Sequence, residues 1–247
     1  MNFKKLFDYS QPLVAATTLL VLALFIVVGY GAQVVYDIKL SGDTVETTGS
    51  AKEAVVADMG RLVINIETKT GLNDQSAGAE RSQKAVAAIL AYLEGQGLSE
   101  YETPAGYTNA NYYYPEKSEP VLTGYTISRS VIVRSGELTK LTSLANDLGP
   151  LTGTGYTVTA GGLELTYTKL DQMRVKLLTE AIRDATARAN AIAAESGRDV
   201  GLLRNATGGV VQVLAEGGVD ISDYGSYDTS SVNKEVMVTV RATFELK

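Results

Sequence analysis

The apolar and polar positions of this chain fall into two regimes. From Leu13 to Ala32 twenty residues pass without a charge, about the length a helix needs to cross a bilayer core. Leu13, Leu19, Leu20, Leu22, Leu24, Phe25 and Ile26 supply most of its apolar bulk. Lys4 and Lys5 precede this run and Asp37 and Lys39 follow it, so the positive-inside bias predicts a cytoplasmic N-terminus. A cleaved secretory signal is the competing reading, because Gly29, Gly31 and Ala32 place small residues near the end of the run. The run exceeds the roughly 7–15 residues of a signal h-region, which favours an uncleaved anchor. Both readings export the remainder. The expected organisation is a cytoplasmic segment over 1–12, a transmembrane helix over 13–32 and an exported domain over 33–247.

Beyond the anchor, periods of two and of three to four alternate. Val34–Leu40 reads as a strand, with Tyr36, Ile38 and Leu40 alternating with polar residues. Arg61–Thr68 reads as a second, with Leu62, Ile64 and Ile66 on one face. Asp74–Gly95 has the helical period through Ala79, Val86, Ile89, Leu90 and Leu93, and stops at Gly95 and Gly97. Leu122–Arg134 is extended, with Tyr125, Ile127, Val131 and Val133 as its apolar positions. A short helix from Ser135 buries Leu138, Leu141, Leu144, Ala145 and Leu148, and ends at Gly149-Pro150.

Tyr156–Thr168 is extended again, and Thr168 with Asp171 resembles a capping box. The helix opened there carries Leu170, Leu177, Leu178, Ile182 and Ile192 around a stripe of Ala181, Ala185, Ala189 and Ala193, before Gly197. Alanines at steps of four let another layer approach closely, as when a helix lies on a sheet. The last strand, Val236–Leu246, holds Val236, Val238, Val240, Ala242 and Phe244 on one face. Paired strands interrupted by three helices predict an α+β fold with a mixed or antiparallel sheet.

Composition narrows the chemistry. The chain has no Cys, no His and no Trp, which removes Ser-His-Asp and Cys nucleophile chemistry, thiolate or imidazole metal sites and disulfides. Against 28 acidic residues there are 22 Lys and Arg, a formal charge of -6. With no basic cluster to offset it, nucleic acid is not an expected partner.

Four segments together resemble the SIMPL domain, a family of unknown function. They are Thr48–Lys52 with Ala57–Leu62, where the family usually has Pro in place of Ala57; Thr123–Ser128 with Val131–Arg134, Leu138 and Leu141; the helix Leu177–Ala194 running on through Gly197 to Gly201, with Arg188 where Lys is usual; and the terminal Thr243–Leu246. The resemblance spans roughly Val45 to Leu246. It implies a SIMPL-like α+β envelope protein, periplasmic or anchored, that assembles into large oligomers. It carries no catalytic constellation. The matching residues are mainly apolar, Gly and Ala, and so describe packing. The anchor departs from the family's common form.

Several residue groups invite a functional reading. Tyr101, Tyr107, Tyr112, Tyr113 and Tyr114 crowd a segment that also carries Pro104, Pro115 and Pro120. Tyrosine suits a subunit interface or a ligand platform, or caps the domain's own sheet; Tyr107, Tyr112, Tyr113 and Tyr114 are the candidates for an interface. Asp220, Asp223 and Asp228 offer oxygens for Ca²⁺, but their spacing is not that of an EF-hand and suits turn chemistry better. Glu67 with Glu164 or Asp184 is a conceivable hydrolase pair. No phosphate-binding glycine motif is present. Asn205-Ala206-Thr207 has the form of a glycosylation acceptor.

The expectation is a non-enzymatic, membrane-anchored protein without metal or cofactor, whose partners are copies of itself and the bilayer. Its exported domain would form a ring or cage scaffold outside the cytoplasmic membrane. The alternatives are a monomeric or dimeric envelope ligand-binding module that uses the tyrosine segment, and a carboxylate-based hydrolase.

Overall fold

A computed structural model describes residues 12–40, 43–218, 222 and 224–247, with the side chains of all of these except 12–15 and 36–40. The fold is α+β with antiparallel sheets and an N-terminal apolar helix. That helix, α1, runs from Pro12 to Leu40. It spans about 44 Å at 1.5 Å per residue, and its stretch Ala16–Val35 is long and apolar enough to cross a membrane. The strand expected over Val34–Leu40 is instead its last turns. No proline interrupts the sequence between Pro12 and Leu40, and lengthening an existing helix fixes one residue per bond gained, whereas a new strand needs a partner.

Twelve further elements follow. They are β1 (Thr44–Val56), β2 (Met59–Thr70), α2 (Gln75–Gly95), β3 (Tyr101–Glu102), β4 (Tyr107–Tyr113), β5 (Val121–Ser135), α3 (Leu138–Asn146), β6 (Thr157–Thr166), α4 (Leu170–Glu195), β7 (Val200–Gly208), β8 (Gln212–Ala215) and β9 (Asn233–Leu246). One sheet has the order β3-β5-β2-β6, with β4 also on β5; the other has the order β1-β9-β7, with β8 on β9.

By packing, the described residues divide into two compact units. The first comprises Ser50–Ala181 and Gly208–Thr239. Its centre is β2, where Leu62, Ile64 and Ile66 are fully buried and Ile64 lies opposite Val131 of β5 and Ala160 of β6. A slip of one residue would turn all three to solvent, so burial fixes this register. Helix α2 covers that face through Gly78, Ser82, Ala85, Ile89 and Leu93. The buried stripe is thus smaller than the one read from Ala79, Val86 and Leu90. Val86 and Leu90 pack at its margin, because the helix approaches so closely that a Cβ on Gly78 would overlap the Thr70 methyl.

Helix α3 adds Leu141 and Leu144, and a single 3₁₀ turn over Gly149–Leu151 buries Leu151. A second cluster joins Leu177, with Leu170 and Met173 at its edge, to Val213, Val236 and Val238. The capping box read at Thr168 is absent. The Thr168 hydroxyl donates to Asp58 Oδ2 at 2.9 Å and its N–H to Oδ1 at 2.8 Å, so the carboxylate in the β1–β2 turn holds the approach to α4.

The second unit consists of the described residues through Gly49 with Ile182–Thr207 and Val240–Lys247. Ala185, Ala189 and Ala193 are buried, as are Val45, Val240, Ala242 and Phe244. The Thr47 hydroxyl donates to the Ala185 carbonyl at 2.9 Å, a contact that only small residues on the helix face permit. Leu178 and Ile192, read as core from the same period, are exposed instead.

Candidate functional site

The tyrosine segment forms a hairpin. β4 pairs with β5 from Tyr107 opposite Ser128 to Asn111 opposite Gly124; after an extra residue on β5, Thr123, it resumes with Tyr112 opposite Leu122 and Tyr113 opposite Val121. Pairing of β2 with β5 ends at Thr70 opposite Tyr125. Residues 111–124 therefore project beyond β2 as a two-stranded arm. Polar bonds fasten its root: the Asn111 amide donates to Thr126 Oγ1 at 3.0 Å, and the Thr123 hydroxyl donates to the Asn111 carbonyl at 3.0 Å.

The arm's surface is unusual for a domain on its own. Tyr107, Tyr113 and Tyr114 are 63%, 63% and 72% exposed, and Tyr112 and Val121 about half exposed. The rings of Tyr112 and Tyr114 lie 6.4 Å apart, tilted by 50°, a separation at which aromatic pairs attract. A bare two-stranded ribbon is marginal in water, so clustered apolar surface at its tip is a cost the domain's own core does not repay. Tyr101 belongs elsewhere. It packs at the margin of the core on β3 and donates its hydroxyl to Glu94 at 2.6 Å, the bond that chiefly raises its pKa, with burial and the carboxylate's charge acting in the same direction.

The other candidate groups do not converge. Asp220 and Asp223 lie outside the described residues, as do Lys4 and Lys5 of the flank that sets topology. Asp228 is described, and its oxygens are taken. They accept from the Ser230 N–H at 3.0 Å and its hydroxyl at 2.6 Å, from the Ser231 N–H at 3.1 Å and its hydroxyl, and from Lys234 Nζ at 3.1 Å. Among the described residues no cluster of three acidic groups could hold a metal ion.

The carboxylate pair Glu67 and Glu164 is separated by the sheet. Glu164 sits opposite Arg61 and pairs with it at 3.3 Å, whereas Glu67 sits opposite Thr157. Six residue steps along the strand from Arg61 to Glu67 amount to about 20 Å, too far for the roughly 5–10 Å of a glycosidase pair. Asp184 pairs with Arg188 one helical turn away. Asn205 is exposed on β7.

Three features escaped the sequence reading. β7 ends its sheet and is exposed along nearly its whole length, with Leu202 68% exposed and Leu203 44%. Lys234 is fully buried, in phase with Val236 and Val238 on β9. Arg129 occupies the apolar phase of β5 between Ile127 and Val131, and its Nε is buried without a hydrogen-bond partner. For the last two the signal was available: a cation that keeps step with an apolar alternation is directed toward the interior and needs an acceptor there.

Side chains 16–35 of α1 are all exposed, including Leu19, Leu20, Leu22, Leu24, Phe25 and Ile26; the side chain of Leu13 lies outside those described. By length and composition this helix suits a membrane span or an N-terminal signal sequence. No curated protein matches the chain. One family, SIMPL, a protein of unknown function (DUF541), matches residues 45–244, from the second residue of β1 to Phe244 of β9. With the match covering both sheets and every helix after the apolar one, this chain belongs to the SIMPL family of unknown function.

Proposed function

We propose that the chain is a non-enzymatic scaffold, anchored in the cytoplasmic membrane by α1 with its N-terminus inside, whose exported domain assembles with copies of itself into a ring or cage. The carrying observation is the tyrosine arm: a two-stranded projection with three tyrosines at least half exposed and a fourth, Tyr107, exposed on the same strand, whose outer edge pairs with no other among the described residues. Such an edge invites pairing with a further strand unless charge or cover blocks it. β7 offers a second, different edge with Leu202 and Leu203. Unlike edges support head-to-tail contacts, which close into rings when the rotation permits. Several anchors in one assembly would hold it on the membrane by avidity.

The test is molar mass by light scattering, on the detergent-solubilised chain and on a form starting at Gln33. The expected result is a discrete mass several times the 26.2 kDa chain in both. Replacing Tyr112, Tyr113 and Tyr114 together by Ser should reduce the mass to that of smaller species with the melting temperature unchanged, since exposed side chains contribute little to folding. A monomer in both native forms would sink the scaffold reading. Loss of retention of an envelope glycan or peptide, with the mass unchanged, would move the arm to the ligand-binding alternative.

Topology has its own test, made clean by the absence of native cysteine. Tyr224 is 96% exposed, so Tyr224→Cys should react with a membrane-impermeant maleimide added outside intact cells. Labelling only after the cells are permeabilised would reverse the orientation.

A further inference from the structure

Asp43 marks the end of the second unit at which α1 enters. Its carbonyl accepts from the Leu246 N–H at 2.8 Å, its carboxylate pairs with Arg198, and Asp199 exchanges backbone bonds with Lys247 at 3.0 and 2.8 Å. The start of β1, the end of β9, the turn after α4 and the approach to β7 therefore meet in one place. Arg198 also ties that turn to the helix, its N–H donating to the Ala193 carbonyl at 2.9 Å.

Chain length limits how far this end can stand from a bilayer. The span Ala16–Val35 is about 30 Å long at 1.5 Å per residue, the thickness of a hydrocarbon core. From Val35 helix α1 continues to Leu40, a further rise of about 8 Å. The three residue steps from Leu40 to Asp43 add at most about 11 Å. Asp43 is thus no more than about 19 Å above the core, and the headgroup layer fills about 5–8 Å of that. The tether bounds the gap and allows it to close.

The surface at this end differs from the rest of the unit. Outside α1, the large hydrophobic side chains that its described residues expose are Ile192, Leu202 and Leu203, at 51%, 68% and 44%. Ile192 lies in the last turn of α4, which ends at Glu195, and Leu202 and Leu203 are the third and fourth residues of β7. The remainder of β7, from Arg204 to Gly208, carries no large apolar residue. The arginines here are matched, Arg198 with Asp43 and Arg204 with Glu245. This end presents apolar surface among neutralised charges, with arginine stems long enough to keep their heads in a wet layer.

We propose that this end of the unit rests in the headgroup layer of the bilayer that α1 crosses, with Ile192, Leu202 and Leu203 in contact with lipid. The inference rests on the reading of α1 as a membrane span, and continuity with that span selects lipid as the occupant. Exposed leucine and isoleucine gain by leaving water, and attachment through α1 supplies a high effective concentration of lipid surface. Because the charges balance, zwitterionic lipid suffices. The contact uses side chains and leaves the backbone N–H and C=O groups at the β7 edge free for a further strand.

The chain has no native cysteine, so a fluorescent maleimide can report one chosen position at a time. Ala194→Cys places the label in the last turn of α4, and Thr207→Cys places it eight residue steps along the chain from Asp199, about 26 Å away. Both positions are exposed. The full chain is placed in phosphatidylcholine vesicles with and without a lipid that carries a nitroxide on its headgroup. The label at Ala194 should lose several times more intensity to the nitroxide than the label at Thr207. Replacing Ile192, Leu202 and Leu203 together by Ser should remove most of that difference with the melting temperature unchanged, and anionic lipid should not increase it.

Equal loss at the two positions would lay the strand along the surface, and no loss at either would lift the domain clear of it. A difference that survives the triple replacement would assign the position to the tether alone, and one that requires anionic lipid would assign it to the arginines. Each of these overturns the proposal. Vesicles that float without the protein would instead overturn the membrane span, and the inference with it.

Discussion

Asp228→Ala should cost the fold about 3–5 kcal/mol, the range found when one partner of a buried ion pair is removed. Lys234 has no exposed side-chain surface, and Asp228 only 17%. The ammonium donates to two acceptors, the Asp228 carbonyl at 2.6 Å and Oδ2 at 3.1 Å. Without the carboxylate a full charge stays buried against a single carbonyl. The turn suffers as well, because the same carboxylate organises the N–H groups of Ser230 and Ser231, while the Asp228 N–H is tied to Val213 of β8 at 2.7 Å.

Lys234→Met should be milder, roughly 1–2 kcal/mol. It leaves an apolar stem of similar length in the core and a carboxylate still bonded to two serines. Denaturant midpoints of the two variants check this; a loss from Asp228→Ala no larger than that from Lys234→Met would refute the account.

The same site predicts an acid limb. Burial raises the Asp228 pKa, but hydrogen bonds from Ser230, Ser231 and Lys234 outweigh it and hold the carboxyl well below the ordinary carboxylate range. A group whose pKa is depressed by folding stabilises fully above its unfolded value, about 3.9 for Asp, and that contribution fades as pH falls through the folded value. Below about pH 4 the native chain should therefore lose stability faster than Asp228→Asn does, and the two curves should run parallel in the neutral range.

What the sequence made legible was periodicity. Leu62, Ile64 and Ile66, the five alternating positions of β9 and the four alanines of α4 all lie where their spacing put them, because burial of one face is a local pattern enforced along the whole element. Where one element meets another, the spacing was insufficient. Gly78, Ser82 and Ala85 carry little hydrophobic signal, yet they share the buried face of α2 with Ile89 and Leu93, and at Gly78 what selects the small residue is the nearness of Thr70 across the contact. Arg129 was left out of the apolar positions of its strand, and Lys234 lay before the strand read from Val236, although the phase of both pointed inward. Whether such a residue acquires an acceptor, as Lys234 does, or lacks one, as Arg129 does at Nε, depends on a chain segment distant in sequence or on a turn not yet formed. The tyrosines were legible as a cluster. That they sit on an arm reaching past β2 follows from where two strands end, which no single segment encodes.

The arm's junction supplies the other large effect. At Gly124, the first β5 position beyond the pairing with β2, a Cβ would overlap the Thr70 carbonyl oxygen and crowd the Gly71 Cα at 3.3 Å. Backbone atoms at a strand end cannot rotate aside as a flexible side chain can. Gly124→Ala must therefore either part β2 from β5 at Thr70 or bend the arm at the bulge that follows. Overpacking of this kind costs about 1–3 kcal/mol, and the value here should fall at the upper end because the obstacle is main chain. The consequence for assembly should exceed that for folding. Tyr112, Tyr113 and Tyr114 lie beyond the junction, so a small change of angle there moves every ring of the arm, whereas the core about Ile64 lies several residues away along β2. Light scattering of Gly124→Ala at a temperature where circular dichroism shows it folded should give a reduced mass, and Thr123→Ala, which loses only the bond to the Asn111 carbonyl, should retain most of it. Full assembly by a folded Gly124→Ala would show that the direction of the arm has no part in joining subunits, and the burden would shift to the exposed edge of β7.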